Sequence, residues 1–481
     1  MSSESPDLKL FIDGEWLGVQ GRATHSVIDP ATGRSLGELP LASAQDLDRA
    51  LESAAAAWPG WRATPAVERG RLMRRAAGLI RERRERIARL LTQEEGKPLA
   101  EALVEVDGAA GHIEWMAEEG RRAYGRVVPG ASSQLRQTIL KQPIGVAAGF
   151  APWNFPATTP ARKLSASLAA GCCCILKAPE EAPATAVEIV RAFAEAGVPR
   201  GVVQLVFGDP PAVSRHLIGS PVVRKVSFTG STAVGRQLAT LAAQEVKPIT
   251  MELGGHAPVL VFDDVDPGQV VALCAAAKYR NAGQVCVSPT RFFVHERIYD
   301  DFAARFAAAA NAVQLGHGLE NGTAMGPLAN TRRLAAVADT VADLQRSGAR
   351  LLAGGERLEG IGNFFRPTVF RDVPPEARAM REEPFGPIAL LIPFRDEDEV
   401  IARANALPYG LAAYAFTRDA GRHIRLSEAL ETGMLGINTF TINGPETTWG
   451  GVKESGYGSE GASEGLEAYQ VTKLVVQSSA F

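Results

Sequence analysis

The sequence predicts an α/β fold in which two domains are each built on a parallel sheet. From about Val146 onward, short apolar segments alternate with helical segments, which is the pattern of parallel strands joined by crossover helices. A second alternating series follows the glycine pair Gly254-Gly255. The length of 481 residues is too great for one ordinary core. Two α/β domains that meet near residue 253 explain all three observations.

The first series begins after a helical region. A short apolar strand and turn at 8–16 precede segments rich in Ala, Leu, Arg and Glu, which predict helices from about Ser43 to Glu119 with a break at Trp58-Pro-Gly60. Residues 137–141 alternate like a strand. The strands predicted next are 145–151, 172–177, 202–207 and 222–229, and the helices are 160–170, 185–196 and 232–243.

The second series has the same rhythm. Its predicted strands are 257–262, 291–295, 387–394, 411–416 and 434–437, and its predicted helices are 267–281 and 299–313. At the end of the chain, residues 469–477 alternate around Val471, Leu474 and Val476. An apolar strand at a chain end needs a sheet to join, so we expect it to pair within the subunit or between subunits.

Composition excludes several classes of protein. The net charge of -3 and the absence of a basic run, apart from the solvated helix face at 71–89, argue against a nucleic-acid partner. Five cysteines, three of them consecutive at 172–174, do not form a disulfide framework, and seven scattered histidines predict no metal site. The polar start Met1–Pro6 and the lack of a long apolar run predict a cytoplasmic protein with no membrane partner.

Cys286 is the candidate nucleophile. It lies in Asn281-Ala-Gly-Gln-Val-Cys-Val-Ser-Pro289, directly after a predicted helix. A thiolate attacks an aldehyde, and the oxyanion that forms needs hydrogen-bond donors aimed at it. A single cysteine more often fills a core, as we expect for Cys274. The motifs that accompany Cys286 favour the functional interpretation.

Two further motifs supply a base and an amide. Glu252 precedes Leu253-Gly254-Gly255, where flanking glycines permit a carboxylate to move as a general base. Asn154 lies between Pro152 and Pro156, and this rigidity suits an amide that donates to a developing oxyanion. The alternatives are a carboxylate that pairs with a lysine at a strand end, and a structural asparagine in a turn.

A third group of motifs suggests a nucleotide. Gly230-Ser-Thr-Ala-Val-Gly235 follows a predicted strand and opens a helix, where backbone N–H groups attract phosphate. It is not the usual Gly-x-Gly-x-x-Gly sequence, and alone it is weak evidence. Lys177 and Glu180 end a neighbouring strand, where a carboxylate can accept from ribose hydroxyls.

Together these segments resemble the aldehyde dehydrogenase superfamily, and the resemblance covers essentially the whole chain. It implies a Rossmann-type cofactor domain with a five-stranded parallel sheet, an α/β catalytic domain and a small β bridging element for oligomerisation. We expect the cofactor domain at 1–125 and 145–253, the catalytic domain at 254–443 and the bridging element at 126–144 and 466–481. A homodimer or homotetramer is the expected assembly.

The resemblance also implies roles. Cys286 is the nucleophile, Glu252 activates the deacylating water, Asn154 and the backbone N–H of Cys286 form the oxyanion hole, and Lys163 assists proton relay. Glu180 favours NAD as the cofactor over NADP, because a carboxylate beside the ribose would repel a 2′-phosphate. The implied cofactor-binding residues are Trp153, Lys177, Glu180, Phe228, Gly230, Ser231, Leu253, Glu383 and Phe385.

Two arginines narrow the substrate. Arg162 and Arg280 match the arginines that bind the distal carboxylate in succinate semialdehyde dehydrogenases, and guanidinium forks pair bidentately with carboxylates. The alternative for either is a surface or interdomain salt bridge. Tracts at 177–181, 251–258 and 450–460 are closer still to bacterial α-ketoglutaric semialdehyde dehydrogenases.

Two positions depart from the relatives. The serine that completes the carboxylate site is absent, and Asn443 is the nearest polar residue, so the chain length of the substrate stays open. Ser288 stands where some relatives carry a second cysteine, and no redox disulfide is expected there.

The expected reaction is NAD(P)-dependent oxidation of a small carboxylated semialdehyde, succinate or α-ketoglutaric semialdehyde, through a cysteine thiohemiacetal and thioester. A broad-specificity enzyme for neutral aldehydes is one alternative. A coenzyme-A-acylating relative is another, although such enzymes commonly lack the glutamate found at Glu252. A non-catalytic protein on the same fold is disfavoured because Cys286, Glu252 and Asn154 are all present.

Overall fold

A computed structural model describes residues 6–479. The polar start predicted at Met1–Pro6 therefore lies almost entirely outside the described residues, as do the last two positions of the predicted bridging element. No helix among residues 6–479 has the length and apolar character needed to cross a membrane.

Between residues 6 and 252 the structure contains eleven strands and eight helices. In chain order they are β1 Leu10–Ile12, β2 Glu15–Leu17, β3 Thr24–Ile28, β4 Ser35–Pro40, α1 Ala44–Ala63, α2 Ala66–Glu82, α3 Arg84–Glu95, α4 Leu99–Glu119, β5 Arg126–Pro129, β6 Leu135–Pro143, β7 Val146–Phe150, α5 Thr158–Ala170, β8 Cys173–Lys177, α6 Pro183–Glu195, β9 Val203–Val206, α7 Pro210–Gly219, β10 Val223–Thr229, α8 Thr232–Gln244 and β11 Ile249–Glu252.

The second half continues the same numbering. Its elements are β12 Ala257–Val261, α9 Pro267–Tyr279, β13 Pro289–His295, α10 Tyr299–Asn311, α11 Thr331–Arg346, β14 Arg350–Ala353, β15 Thr368–Arg371, β16 Ile388–Phe394, α12 Glu397–Asn405, β17 Tyr409–Gly410, β18 Ala412–Phe416, α13 Ala420–Ala429, β19 Met434–Ile437, β20 Val452–Lys453, β21 Gly456–Tyr457, α14 Ala462–Glu467 and β22 Gln470–Ser478. Short 3-10 turns lie at Gly120–Arg122, Arg280–Gly283, Glu296–Ile298 and Arg378–Met380.

A doubly wound sheet forms the first layer. Its strand order is β2-β1-β9-β8-β7-β10-β11-β21, and the five strands β9, β8, β7, β10 and β11 run parallel. The chain builds outward from β7 through β8 to β9, and then crosses to the other side of β7 for β10 and β11. The carboxyl ends of β7 and β10 therefore flank a switch point, which is where α/β sheets bind ligands. The parallel α/β prediction is confirmed.

The second sheet has the order β14-β15-β16-β13-β12-β18-β19 and is parallel apart from its edge strand β14. Its central strands are apolar and fully covered; Ile388, Leu390 and Leu391 of β16, for example, are buried. This is the expected state of a parallel sheet with helices on both faces.

The helical region differs from the prediction at one position. Pro59 and Gly60 lie inside α1, which continues to Ala63, so the break predicted at Trp58-Pro-Gly60 is wrong. A proline removes one backbone donor from a helix, but Trp61 is only 1% exposed, and its burial holds the last turn in place. The chain instead leaves the helix at Thr64, before Pro65.

Two hydrophobic cores underlie the two sheets. One contains buried residues from Leu8 to Leu253, together with Leu466 and Tyr469 near the end of the chain, and the other runs from Ala257 to Trp449. These cores support the predicted domain boundaries, which we retain as a proposal.

The third predicted unit corresponds to a small antiparallel sheet with the order β22-β6-β5. The strand β22 pairs with β6 over nine residues, from Gln470 opposite Pro143 to Ser478 opposite Leu135. On β22, Val471, Leu474 and Val476 are 41%, 57% and 51% exposed, so this sheet presents apolar side chains on a surface of the chain.

Candidate active site

Loops from both sheets converge on one cavity of about 1490 Å³. The loops after β7, β10 and β11 enter it from the first sheet, and the segments around Cys286 and Glu383 enter it from the second. Most of the predicted site residues line this cavity; they are Trp153, Asn154, Arg162, Gly230, Ser231, Glu252, Leu253, Arg280, Cys286, Glu383, Phe385 and Asn443. The other four, Lys163, Lys177, Glu180 and Phe228, are not part of its lining.

The backbone before Cys286 is strained. Asn281, Ala282 and Gly283 have consecutive φ angles of 48°, 51° and 72°, and left-handed conformations are costly for residues with a Cβ. At Gly283 a Cβ atom would lie 2.1 Å from the carbonyl oxygen of Gly386, so no other residue fits there. This turn ends the helical region after α9 and brings the half-buried Cys286 to the cavity wall.

The surroundings of Cys286 favour its protonated thiol. Burial raises the pKa of this thiol to about 12, and the nearby carboxylates Glu383 and Glu252 contribute in the same direction. The charges of Arg162 and Arg280 oppose the shift. Formation of a thiolate therefore requires a base beside the sulfur, since a thiol in this environment does not ionise on its own.

Glu252 can provide that base. It ends β11 and is 2% exposed, and neither carboxylate oxygen accepts a hydrogen bond of normal geometry within the described part of the chain. The two glycines that follow it are needed for a steric reason that the sequence did not reveal. A Cβ at Gly254 would lie 2.6 Å from Glu383 Oε2, and one at Gly255 would lie 2.8 Å from the carbonyl oxygen of Cys286.

A second carboxylate, Glu460, lies next to Glu252. Burial and the charge of Glu460 raise the pKa of Glu252 well above its usual value. Burial opposes ionisation of Glu460 as well, but Lys163 outweighs it and lowers the pKa of Glu460. Two neighbouring carboxyl groups with opposite pKa shifts are typical of an acid–base site.

Lys163 lies beneath this carboxylate pair. It is fully buried on α5, and its Nζ donates to Glu460 Oε1 at 2.7 Å, to Thr229 Oγ1 at 2.9 Å and to Ser227 Oγ at 3.0 Å. A lysine held by three acceptors keeps a fixed position. The prediction that Lys163 takes part in proton relay stays a prediction, and Glu460 is the group that connects it to Glu252.

Asn154 is held on both its side chain and its backbone. Its Nδ2 donates to the Gln284 carbonyl oxygen at 3.0 Å. Its own carbonyl oxygen accepts from Lys97 Nζ at 2.8 Å and from Asn281 Nδ2 at 3.1 Å. An amide nitrogen carries two N–H groups, so one remains to donate to a ligand in the cavity.

The groove beside the switch point fits a dinucleotide. Ser231 caps the N-terminus of α8 and accepts from Val234 N at 3.4 Å, and this end of the helix faces the cavity. A Cβ at Gly230 would lie 2.5 Å from the Phe228 ring, so a larger residue at this turn would have to displace that ring. Helix N-termini at such a position attract phosphate.

The residues predicted to bind the ribose form a pair. Lys177 Nζ lies 2.6 Å from Glu180 Oε2, and Glu180 Oε1 accepts from Gly208 N at 2.8 Å. Both oxygens of Glu180 are thus engaged, and its charge is balanced by Lys177. The carboxylate is fixed at the end of β8, on the same edge of the sheet as the groove.

The opposite wall of the groove comes from the second sheet. The rings of Trp153 and Phe385 meet edge to face with centroids 5.7 Å apart, and Arg333 donates to the carbonyl oxygens of Pro384 and Phe385 at 2.8 and 3.1 Å. Burial raises the pKa of Glu383 to about 8. These contacts bridge the two halves of the site.

Two arginines line the cavity together with Cys286. Neither Arg162 nor Arg280 forms an ion pair within residues 6–479. Arg162 donates from Nε to His112 Nε2 at 3.1 Å and stacks 4.4 Å from the centroid of the Trp449 ring, and Arg280 lies 5.8 Å from that of Phe155. Both arginines are half-buried. The charges of Glu460 and Glu252 act on Arg162, but neither guanidinium contacts a carboxylate of residues 6–479, so this wall is suited to an anionic group of a ligand.

Sequence reasoning missed several residues of this site: Lys97, His112, Ser227, Trp449 and Glu460. Glu460 lay in a tract that resembled the relatives, at 450–460, but nothing in the tract indicated that it contacts Lys163. His112 and Lys97 belong to the helical region before the first sheet, where they read as ordinary helix residues.

Comparisons with known proteins identify the family of the chain. The sequence profile of the aldehyde dehydrogenase family matches residues 16–475. The chain is 49% identical to the 4-(hydroxymethyl)benzenesulfonate dehydrogenase of Comamonas testosteroni over 97% of each chain. It is 45% identical to the succinate-semialdehyde dehydrogenase (NADP+) of Escherichia coli K12, over 97% of this chain and 96% of that one.

A solved structure is equally similar. The crystal structure of succinate-semialdehyde dehydrogenase from Burkholderia pseudomallei superposes with a TM-score of 0.96 at 46% identity, over 98% of both chains. A profile match across nearly the whole chain, together with relatives of this identity, shows that the chain belongs to the aldehyde dehydrogenase family of NAD(P)-dependent oxidoreductases.

Proposed function

We propose that this protein oxidises a small carboxylated semialdehyde, succinate or α-ketoglutaric semialdehyde, to the dicarboxylate. The observation that carries the proposal is the pair of arginines beside the candidate nucleophile that form no ion pair with any residue the structure describes. Arg162 and Arg280 lower the pKa of Cys286 through their charge, so both lie within electrostatic reach of the sulfur. A substrate with an aldehyde at one end and an anion at the other satisfies the thiol and the guanidinium groups together.

Each residue of the site has its own role in the reaction. Glu252 takes the thiol proton, and the Cys286 sulfur forms a bond to the aldehyde carbon. The second N–H of Asn154 Nδ2 donates to the resulting oxyanion. A nicotinamide dinucleotide bound along the groove supplies the hydride acceptor. Loss of a hydride from the thiohemiacetal carbon leaves a thioester. Once Glu252 has released the first proton to solvent, it removes a proton from water, and the resulting hydroxide attacks the thioester. The carbon–sulfur bond then breaks, which releases the carboxylate and the Cys286 thiolate.

Arg162 is half-buried, and this explains why the preference for an anion is expected to be large. A guanidinium held away from water gains more from an anionic partner than one at the surface does. Hydrogen bonds to charged groups contribute about 1.5–3 kcal/mol, which corresponds to roughly ten- to 150-fold in kcat/KM. A neutral aldehyde of the same length forfeits this gain.

The test compares matched aldehydes. Succinate semialdehyde and butanal have the same carbon chain, and NADH formation gives kcat/KM for both. Arg162→Met should reduce kcat/KM for succinate semialdehyde by about ten- to 150-fold and leave butanal nearly unchanged. Arg332→Met is the matched control, since Arg332 lines the same cavity but is bound to Glu181. Equal losses on both aldehydes in Arg162→Met would overturn the proposal.

A sulfonate is a second candidate for the anionic group. One relative is named for a benzenesulfonate substrate and another for succinate semialdehyde, and both anions present oxygens that a guanidinium fork can bind. The absence of the serine expected in the carboxylate site, with Asn443 on the cavity wall instead, supports this candidate. Including 3-sulfopropanal in the same assay ranks sulfonate against carboxylate at equal chain length.

We propose NAD rather than NADP as the preferred cofactor. Glu180 is fixed at the end of β8 by Gly208 N–H and Lys177, and a fixed carboxylate can accept from ribose hydroxyls but repels a 2′-phosphate. Lys177 offsets part of this repulsion, so the expected discrimination is moderate.

We also propose that the β22-β6-β5 sheet joins subunits into a homodimer or homotetramer. The apolar side chains of β22 are exposed along one edge of the sheet. An exposed apolar edge strand normally pairs or is covered, and a second copy of the chain is the occupant that the predicted bridging element implies.

A further inference from the structure

A buried ion pair lies behind the loop that carries Asn154. Lys97, between α3 and α4, is 2% exposed, and Glu105 on α4 is 6% exposed. Their charged groups are 2.5 Å apart, and Lys97 Nζ lies 4.2 Å from the centroid of the Phe155 ring. Burying two charges is costly unless each gains further hydrogen bonds. The other hydrogen-bond partners of Lys97 and Glu105 therefore indicate the role of this ion pair.

Those partners belong to the Asn154 loop. Lys97 donates to the carbonyl oxygen of Asn154 at 2.8 Å. Glu105 Oε1 accepts from the backbone N–H groups of Ala157 at 2.9 Å and Thr158 at 3.3 Å, which open α5. The ion pair therefore holds the loop at two points, one at Asn154 itself and one where the loop becomes a helix.

The turn before Cys286 is fixed to the same carbonyl group. Asn281 Nδ2 donates to the Asn154 carbonyl oxygen at 3.1 Å, and Glu101 accepts from Asn281 N at 2.8 Å. The Asn154 side chain in turn donates to the Gln284 carbonyl oxygen. Asn154 is thereby held by Lys97 on one side and by the nucleophile turn on the other.

We infer that Lys97 is a positioning residue that acts through Asn154. Its ammonium group fixes the Asn154 peptide, and the fixed peptide directs the remaining Nδ2–H toward the oxyanion. A charged donor is suited to this role because charge-assisted hydrogen bonds are shorter and stronger than neutral ones. Donors that stabilise an oxyanion act through preorganisation, so a small displacement of Asn154 is costly to the rate.

This inference rests on the proposed role of Asn154, and a double-mutant cycle separates the two. Asn154→Ala should lower kcat by about 10²–10³-fold if Asn154 donates to the oxyanion. Lys97→Met should lower kcat by about ten- to 100-fold while KM for the aldehyde and the dissociation constant of NADH change little. In the Asn154→Ala background, Lys97→Met should have almost no further effect, since the amide that it positions is gone.

If Lys97 had only a structural role, a different result would be expected. Lys278 is equally buried and donates to Ser288 Oγ at 2.9 Å, with no contact to Asn154, so Lys278→Met is the matched control. Any loss in that variant should multiply with the loss in Asn154→Ala. The same multiplication for Lys97→Met, or a kcat close to that of the parent enzyme, would overturn the inference. A near-normal kcat in Asn154→Ala would instead refute the proposed role of Asn154.

A second variant covers the case in which Lys97→Met does not fold. Removing one partner leaves Glu105 buried without its counter-ion, whereas replacing both charges is usually tolerated. Lys97→Met/Glu105→Gln keeps an oxygen to accept from Ala157 and Thr158 and removes the donor to Asn154, together with the longer ion pair of Lys97 with Glu95 at 3.9 Å. It should show the same loss of kcat, again absent in the Asn154→Ala background; an undiminished kcat in this folded variant would contradict the inference.

Discussion

Arg162 Nε donates to His112 Nε2 at 3.1 Å, so His112 must carry its proton on Nδ1. Burial and the charge of Arg162 lower the pKa of His112 well below its usual value, which keeps the imidazole neutral and able to accept. The neutral ring fixes the guanidinium without neutralising it. His112 therefore leaves the positive charge of Arg162 in place at the cavity wall, where the carboxylates of Glu460 and Glu252 also act on it.

Replacing His112 should weaken the preference for anionic aldehydes. In His112→Leu the guanidinium loses its acceptor, and the expected reduction of kcat/KM for succinate semialdehyde is about five- to tenfold, or roughly 1–1.4 kcal/mol. His112→Gln retains an acceptor oxygen and should recover much of the loss. Butanal kinetics provide the reference; a reduction of the same size with butanal would show that His112 acts on the whole site rather than on Arg162.

Glu460 should control the pH dependence of the reaction. Glu252 works as a base when deprotonated, so kcat/KM rises as the pH increases through its pKa. The negative charge of Glu460 raises that pKa, and Glu460→Gln should therefore shift the rising limb to lower pH, by about one unit. The pKa of Cys286, at about 12, lies above the assay range, so the limb reports Glu252.

A matched variant checks this assignment. Ser227 donates to the same carboxylate at 3.1 Å but carries no charge, so Ser227→Ala should shift the limb less than Glu460→Gln does. A limb that stays in place in Glu460→Gln, or moves to higher pH, would contradict the coupling between the two carboxyl groups.

Much of the fold was predictable because parallel strands leave a strong local signal. The strand predicted at 172–177 is β8 at Cys173–Lys177, and all of its residues are buried. The hairpin β3-β4 was not predicted, since its residues are largely exposed and lack an apolar alternation. In α1 the prediction failed in the opposite way. Pro59 indicated a helix break, but the packing of Trp61 keeps the helix continuous.

The site residues likewise fall into a group that the sequence predicted and a group that it did not. Cys286, Glu252 and Asn154 lie in glycine- and proline-rich loops with a recognisable sequence, and they were predicted to meet. Glu460 and Lys97 reach the site only through tertiary packing, from segments whose local sequence predicts ordinary helix ends and turns. Pair contacts of this kind have no signature in a single sequence.

The strained turn before Cys286 should not tolerate a side chain. Gly283→Ala would place a Cβ 2.1 Å from the Gly386 carbonyl oxygen at a φ of 72°, and we expect a destabilisation of at least about 2 kcal/mol together with loss of kcat. Gly78 on α2 has open space around its Cα, so Gly78→Ala should stabilise by about 0.5–1 kcal/mol. Thermal melting of both variants tests the contrast, and similar melting temperatures would refute it.

The exposed face of β22 should determine the oligomeric state. Leu474 is 57% exposed, and Leu474→Asp would place a charge where we propose a subunit contact, which is strongly unfavourable at an apolar interface. Sedimentation velocity should show a smaller species for this variant. Val246, which is 90% exposed on another surface, provides the control: Val246→Asp should sediment like the parent protein, and an unchanged Leu474→Asp would remove β22 from the interface.

The carboxylate of Glu180 should set the choice between the two nicotinamide cofactors. Glu180→Gln keeps an oxygen to accept from Gly208 N but removes the charge and releases Lys177, which then becomes free to bind a 2′-phosphate. The ratio of kcat/KM for NADP+ over NAD+ should rise by about tenfold, roughly 1.4 kcal/mol. Glu181→Gln removes the neighbouring carboxylate, which is bound to Arg332 at 2.7 Å instead, and should change the ratio much less. If both variants alter the ratio equally, the general negative charge of the loop sets the cofactor preference. If neither variant alters it, other residues contact the 2′-position of the ribose.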